Sequence, residues 1–359
     1  MNRKTLAAVL MPGPVGFMAL LGSCAALVFL SASDAWACAT CGCSLSTDAA
    51  MGYQATSGGR ASLQYDYLDQ SQLRHGTHAV STAQVAALNP AANQEVEHDT
   101  INRYTTLGVA YSPNADWNIA LAVPYVDRSH ATYSQATSSE LTGDNLSAAS
   151  FDSLGDIKTL VSYQGFLPLH SLGVQVGIKW PTGRYGGNNT LTGAIVGRDP
   201  IAFSSGPNRS QVLDTSLQPG TGSTDLIVGA YYYKAVSQDF DAFVNGQYQA
   251  AIAEKLDQPD ADYRPGDLAT LSVGLRDEAS PRLVPQLQVN LTAKARDTGA
   301  LADRTDTAGT VAYLSPGVSA VLAKGVVGYG FVQLPLYSDL SGYQLFPRWT
   351  ATVGVSDAF

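Results

Sequence analysis

The chain has 359 residues, a net charge of −9 and only 14% charged residues, well below the roughly 25% usual in soluble domains. This acidic balance, with no stripe of Lys and Arg, excludes nucleic acid as a partner, because phosphate binding needs clustered basic side chains. The mean hydropathy is close to zero. Such a composition is typical of a barrel wall that is apolar toward lipid and polar toward its lumen.

The start of the chain has the three parts of an export signal. Residues 2–4 form a positive head, residues 15–30 an apolar core, and residues 35–37 a small-residue cleavage site. We expect cleavage just before Cys38. A lipoprotein box that ends at Cys24 is the alternative, but Cys24 lies inside the apolar run, which favours ordinary cleavage. No later apolar run is long enough for a spanning helix.

Three cysteines follow the signal in the motif CATCGCS. Cys38, Cys41 and Cys43 have the spacing at which thiolates share a Cu(I) or Zn(II) ion or cycle between dithiol and disulfide. A disulfide between two of them, with the third free or paired between chains, is a second interpretation. A lipid or processing role of Cys38 is a third. Covalent haem is not expected, because Gly42 stands where His would be needed.

Short segments with a period of two fill the rest of the chain. In the first of them Leu63, Tyr65 and Tyr67 alternate with polar residues, and the last ends in Phe359, the aromatic carboxyl terminus of an assembly signal for outer-membrane barrels. The sequence predicts an all-β, antiparallel transmembrane barrel of about twelve strands, an even number. The predicted strands lie near 62–67, 106–111, 117–125, 157–163, 172–180, 224–235, 240–253, 267–277, 283–296, 309–320, 325–336 and 346–359.

The connections alternate between long and short. About thirty residues separate the first two predicted strands, residues 112–116 form a short turn, and the third and fifth connections, 128–155 and 182–223, are again long. Long outer loops and short periplasmic turns are the rule in such barrels, so both termini should be periplasmic. Aromatic girdles are expected at the periplasmic strand ends (Tyr111, Trp117, Tyr163, Tyr232, Phe359) and at the outer ends (Tyr67, Tyr125, Trp180, Trp349).

The polar face of the strands should line the lumen. Its amides and mixed charges suit a wetted interior without defining one substrate. The residues expected to face inward are Gln64, Asp66, Lys158, Gln164, Gln175, Lys179, Asp241, Asn245, Gln247 and Gln249.

Other candidate sites are weaker. His75, His78 and His98 lie in or near the first outer loop, where either a metal site or a solvated loop fits the pattern. The chain has no G-x-S-x-G or comparable hydrolase pattern, so an enzyme is not expected.

Several motifs occur in most of the last 200 residues: Gly155-Asp156, Pro181-Thr182-Gly183 and three segments at 218–232, 262–276 and 332–355. With these motifs the chain resembles an outer-membrane barrel family named for a MetA pathway of phenol degradation. The resemblance implies a transporter-like barrel for aromatic or other apolar small molecules. Asp277 and Asp357 stand where the resemblance leads one to expect apolar residues.

We therefore predict a signal peptide at 1–37, a periplasmic cysteine segment at 38–58 and an outer-membrane barrel at 59–359. The barrel should meet lipid and the assembly machinery and act as a channel for small molecules. One alternative is a barrel that anchors a thiol module for metal binding or electron transfer through the cysteines. Another is a structural barrel without transport.

Overall fold

A computed structural model describes residues 57–359, and nearly all of its regular structure is β-strand. Alternation of apolar and polar side chains suits a strand with one face toward lipid and the other toward an enclosed interior, which explains why these segments form strands. The strands are β1 (Gly58–Gly76), β2 (His78–Ala79), β3 (Glu97–Ser112), β4 (Trp117–Thr132), β5 (Ser147–Leu154), β6 (Lys158–Tyr163), β7 (Leu172–Lys179), β8 (Tyr185–Asn188), β9 (Ile195–Arg198), β10 (Ser223–Ala235), β11 (Phe240–Glu254), β12 (Leu268–Asp277), β13 (Leu283–Lys294), β14 (Gly309–Ala323) and β15 (Val326–Ala358).

The sheet closes on itself. Its antiparallel order is β1-β3-β4-β6-β7-β10-β11-β12-β13-β14-β15, and β15 pairs back onto β1, from Arg60 opposite Ala358 to Gly76 opposite Leu340. β5 extends the barrel wall beside the outer half of β4, beyond the end of β6. Closure leaves neither end of this eleven-strand order as a free edge, and β5 pairs with β4 alone among the described strands.

The last strand crosses the wall twice. Its first half pairs with β14 and its second half with β1. The chain reverses near Gly342, whose φ of 54° is left-handed, and the two halves then lie side by side, since a Cβ on Gly330 would be 3.7 Å from the carbonyl oxygen of Thr352. The eleven strands of the closed ring therefore make twelve crossings, which confirms the predicted barrel of about twelve strands.

Long and short connections lie at opposite ends of the barrel, which we call the outer and periplasmic ends. The outer connections contain the single-turn helix α1 (Thr82–Ala86), two 3-10 turns (Gly143–Asn145 and Thr215–Leu217) and the hairpin β8–β9. The second outer connection, predicted at 128–155, is shorter than predicted, because β4 and β5 pair as far as Thr132 and Ser147. The sequence pattern did not predict this extension, because its inward-facing residues, such as Arg128 and His130, are polar and charged.

The outer surface of the barrel is apolar. Leu63, Leu107, Ile119, Val176 and Val353 each leave about half of their surface exposed, facing away from the interior. Among residues 57–359, no helix is long and apolar enough to cross a membrane.

Aromatic residues pair at both ends of the wall. Trp117 lies 4.8 Å from Tyr163 at the periplasmic end, and Tyr67 lies 5.6 Å from Trp349 toward the outer end, both measured between ring centroids. Amphipathic rings at these heights suit the two membrane interfaces.

Candidate functional site

A chamber of about 270 Å³ lies inside the barrel. Side chains from β1, β3, β4, β6, β7, β11, β12 and β13 line it, whereas β14 and β15 contribute none of its described lining. Six of the residues that the sequence predicts to face inward are in this lining: Gln64, Lys158, Gln175, Asn245, Gln247 and Gln249.

Small side chains make room for the chamber. Gly108 and Ala110 on β3 and Ala120 and Ala122 on β4 occupy inward positions where other strands carry amides or aromatics. Sequence reasoning missed these four residues, because they have no chemistry of their own. The available signal was the recurrence of Gly and Ala at alternate positions of two consecutive strands.

The other predicted lumen residues lie elsewhere. Asp66 is buried and accepts hydrogen bonds from Gln64 (2.9 Å) and Thr352 (2.6 Å). Gln164 donates to the Ala115 carbonyl (2.7 Å) in a periplasmic turn. Asp241 stands near the periplasmic end of β11 and is not part of the described chamber lining.

Lys179 is the centre of a buried ionic network at the outer end of β7. Its ammonium lies 3.2 Å from Asp156 and 3.1 Å from Asp225, and it also donates to Thr221 and Ser223. Asp156 in turn accepts bonds from the backbone N–H groups of residues 183 and 221 (both 3.0 Å). The network therefore joins Asp156, Lys179 and Asp225 and fixes both ends of the third outer loop, residues 180–222.

The third outer loop folds over the barrel mouth. Ile201, Phe203, Leu213 and Leu217 are buried together with Ala149 of β5. Apolar burial of this kind holds a loop in one position.

Arg128 ties this loop to the wall. Its guanidinium, which is almost fully buried, donates to Asn102 and Tyr104 of β3 and to the carbonyl oxygen of Leu217.

Carboxylates from three outer connections meet around a small pocket of about 30 Å³. They are Glu95 and Glu97 from the first, Asp214 from the third, and Asp303 and Asp306 from the fifth, and the described lining of this pocket contains no Lys or Arg. Burial, reinforced by neighbouring carboxylates, raises the pKa of Glu95 well above its usual value and raises the pKa values of Asp214 and Asp306 to about 6. Asp214 as a whole residue is exposed to solvent, whereas Glu95 and Asp306 are half-buried.

The candidate metal ligands are not brought together. The cysteines Cys38, Cys41 and Cys43 lie outside the described residues, as do the signal peptide and most of the cysteine segment. His75 and His78 oppose each other in the β1–β2 hairpin, while His98 packs edge-on against Tyr133. In the part of the chain from residue 57 onward, no three His, Cys, Asp or Glu side chains are arranged to hold a metal ion.

No family model matches the chain, and no curated protein matches it. Among solved structures it is similar to an outer-membrane channel from Pseudomonas putida F1, with 12% identity, a TM-score of 0.56, and coverage of 86% of this chain and 98% of that one. The protein has the fold of an outer-membrane β-barrel. Lower scores relate it to the monoaromatic hydrocarbon channel CymD (12% identity, 88% and 93% covered, TM-score 0.42) and to the P. putida toluene transporter TodX (10%, 84% and 90%, 0.42).

Proposed function

We propose that the protein is a channel that passes small molecules across the outer membrane. The observation that carries this proposal is the chamber of about 270 Å³ between β1 and β13, inside a wall that is apolar outside. Ligand pockets for drug-sized molecules span roughly 300–1,000 Å³, so this chamber suits compact solutes.

The chamber has two kinds of wall. On β3, β4 and β6, Ala110, Ala120, Ala122 and Leu160 form apolar patches between polar residues such as Asn118 and Ser162. The lining from β7, β11, β12 and β13 consists mostly of amides and hydroxyls. A compact permeant with an apolar body and a hydrogen-bonding group would satisfy both walls. The family resemblance, which implies aromatic small molecules, agrees with the apolar patches.

Passage requires movement at the outer end. The third loop is held over the mouth through its buried apolar residues and through Arg128. We infer a gated channel in which this loop shifts to admit a solute, because side-chain contacts and one buried apolar cluster hold the loop, whereas continuous backbone pairing holds the wall strands.

Conductance of the refolded mature protein in planar bilayers tests the proposal. Ala120→Trp places a large side chain in the chamber and should reduce the single-channel current, whereas Ala230→Trp, on the lipid side of β10, should not. Folded wild-type protein that gives neither current nor liposome swelling would overturn the channel function and favour a structural barrel.

The thiol module is the alternative from another class of function. Its residues precede the described part of the chain, so it stays a prediction. A channel should still conduct after deletion of residues 38–58, whereas a thiol module would lose its metal or redox activity.

A further inference from the structure

Neutral polar residues of the chamber wall form one row along the hydrogen-bonding direction of the sheet. Each member is paired with the next across adjacent strands from β4 to β12, with no step in register. In strand order the members of this polar row are Asn118, Ser162, Gln175, Gly229, Gln247 and Thr270, and all but Gly229 are in the chamber lining. Paired residues of neighbouring strands face the same side of a sheet, so one solute group can meet several of these side chains.

Gly229 opens the centre of the polar row. A Cβ at position 229 would lie 2.6 Å from the carboxamide nitrogen of Gln175, so the Gln175 side chain occupies the space over this glycine. Gln175 thus leans from β7 toward β11, which carries Gln247. Two strand spacings, about 10 Å, separate the backbones of these two residues, and Gly229 places no side chain between them.

These carboxamides are not used to hold the barrel together. Among the described residues, neither Gln175 nor Gln247 has a side-chain hydrogen bond, whereas Gln64 and Gln249 donate to buried carboxylates. Asn290, which is almost fully buried in the same lining, donates to Ser315 (2.8 Å), but its carboxamide oxygen has no partner in the described part of the chain. An unpaired buried acceptor is costly, so a solute that donates a hydrogen bond there is favoured.

An apolar patch adjoins the polar row. Ala120 of β4 is paired with Leu160 of β6, and each lies two residues from a member of the row, or about 7 Å along its strand. Gly177 of β7 is paired with Leu160 and adds no side chain. A molecule about as long as this separation therefore reaches from the patch to the row, and the chamber of about 270 Å³ has room for it.

The groups left for a solute are neutral. The described lining contains no Asp or Glu, and its two cationic residues, Arg60 and Lys158, are each engaged in an interaction within the protein. Carboxamides and hydroxyls both donate and accept hydrogen bonds. They suit an uncharged group that does the same, whereas an ion that enters this space would lose water without gaining a counter-charge.

We propose that Gln175 and Gln247 form a subsite that selects compact, uncharged solutes with a hydroxyl or carboxamide group, whose apolar body lies against Ala120 and Leu160. This inference rests on the proposed channel function and names the class of its solute. A pure hydrocarbon would fill the apolar patch and leave the two carboxamides and the Asn290 oxygen without a partner.

Three solutes of nearly the same shape test the subsite in saturation-transfer NMR on the refolded mature protein. Benzamide donates and accepts, acetophenone has a methyl group in place of the amide nitrogen and only accepts, and benzoate is charged. Benzamide should bind roughly tenfold more tightly than acetophenone, which corresponds to one or two hydrogen bonds. Benzoate should bind more weakly than benzamide.

Substitution of the two carboxamides should remove this preference. Gln175→Met/Gln247→Met keeps the length of both side chains, and its affinity for benzamide should fall to that for acetophenone. Gln247→Met alone should give an intermediate preference. Gln238→Met, at an exposed position in the turn between β10 and β11, should bind all three solutes as the wild type does, and heat-modifiable gel mobility shows that each variant is folded.

The outcomes separate the subsite from the channel. Equal binding of benzamide and acetophenone to the wild type, tighter binding of benzoate, or an unchanged preference in the double variant overturns the subsite and leaves the channel function to its conductance test. Absence of current from a folded protein that still prefers benzamide overturns selective passage and leaves only binding at Gln175 and Gln247.

Discussion

The ring of Tyr329 lies against Gly354 on the neighbouring wall crossing, in the space that a Cβ at position 354 would occupy. The Tyr329 hydroxyl donates a 2.8 Å hydrogen bond to Gln64. The same contact recurs three times, with aromatic rings over glycines on adjacent strands: Tyr231 over Gly173, Phe243 over Gly274 and Phe331 over Gly317. Because glycine has no side chain, the inward-facing aromatic rings lie close against the adjacent strand of the wall and occupy the space next to it.

Gly354→Ala should destabilise the barrel by about 1–3 kcal/mol, because the new methyl group forces the Tyr329 ring out of its position. The measurement is urea unfolding of the refolded protein, followed by the heat-modifiable gel shift. Gly246→Ala is the control, since its Cβ would meet other atoms only at 3.8 Å. Equal stability of the two variants would contradict this packing.

Lys179→Met should cost roughly 3–5 kcal/mol, because it leaves Asp156 and Asp225 buried without a counter-ion. Unfolding curves measure the loss. Lys234→Met, at an exposed site, should have almost no effect. Addition of Asp156→Asn and Asp225→Asn to Lys179→Met should recover part of the stability; if it does not, the loss comes from packing and not from charge.

Val353→Lys should hinder assembly, because it places a charge on the lipid face at a cost of roughly 2–4 kcal/mol near the membrane midplane. Val353 is 54% exposed on the outside of the last wall crossing. The folded fraction in the outer membrane is the readout. Val236→Lys, in a periplasmic turn, serves as the control, and equal assembly of the two variants would show that the assigned lipid face is wrong.

An epitope tag inserted after Thr192 should be detected on intact cells, whereas the same tag after Asn114 should require permeabilised cells. Thr192 lies near the tip of the third outer loop, next to the exposed Leu191, and Asn114 lies in a short turn at the opposite end. Labelling of both sites in intact cells would show that the assignment of the outer and periplasmic ends is wrong.

The outer loops should be held more firmly at pH 5 than at pH 7.5. The folded-state pKa values of Asp214 and Asp306 are raised to about 6 from 3.8. The folded protein therefore binds more protons than the unfolded chain between these values, and this stabilisation is lost as the pH rises through about 6.

Amide hydrogen exchange in the first, third and fifth outer connections measures how firmly they are held at each pH. The rates are corrected for the intrinsic exchange rate at that pH. The double variant Asp214→Asn/Asp306→Asn should keep its protection at pH 7.5. Protection that rises with pH in the wild-type protein would show that repulsion between the carboxylates does not control the mouth.

The sequence by itself determined the barrel, its approximate number of strands and the order of its long and short connections. Each of these depends on local information: a period of two along each strand, turn residues between strands, and the polar or apolar character of single residues. Gln64 and Gln175 could thus be assigned to the inward face from strand phase alone.

Only the tertiary structure decided what the inward residues do. Lys158 and Lys179 have the same phase in the sequence, yet Lys179 is paired with Asp156 and Asp225 while Lys158 lines the chamber. The chamber itself depends on Gly and Ala on β3 and β4, and the position of the third outer loop depends on Arg128, which donates to Leu217, 89 residues away. Such outcomes depend on contacts between distant segments, which pairing register and loop folding create and which no local pattern encodes.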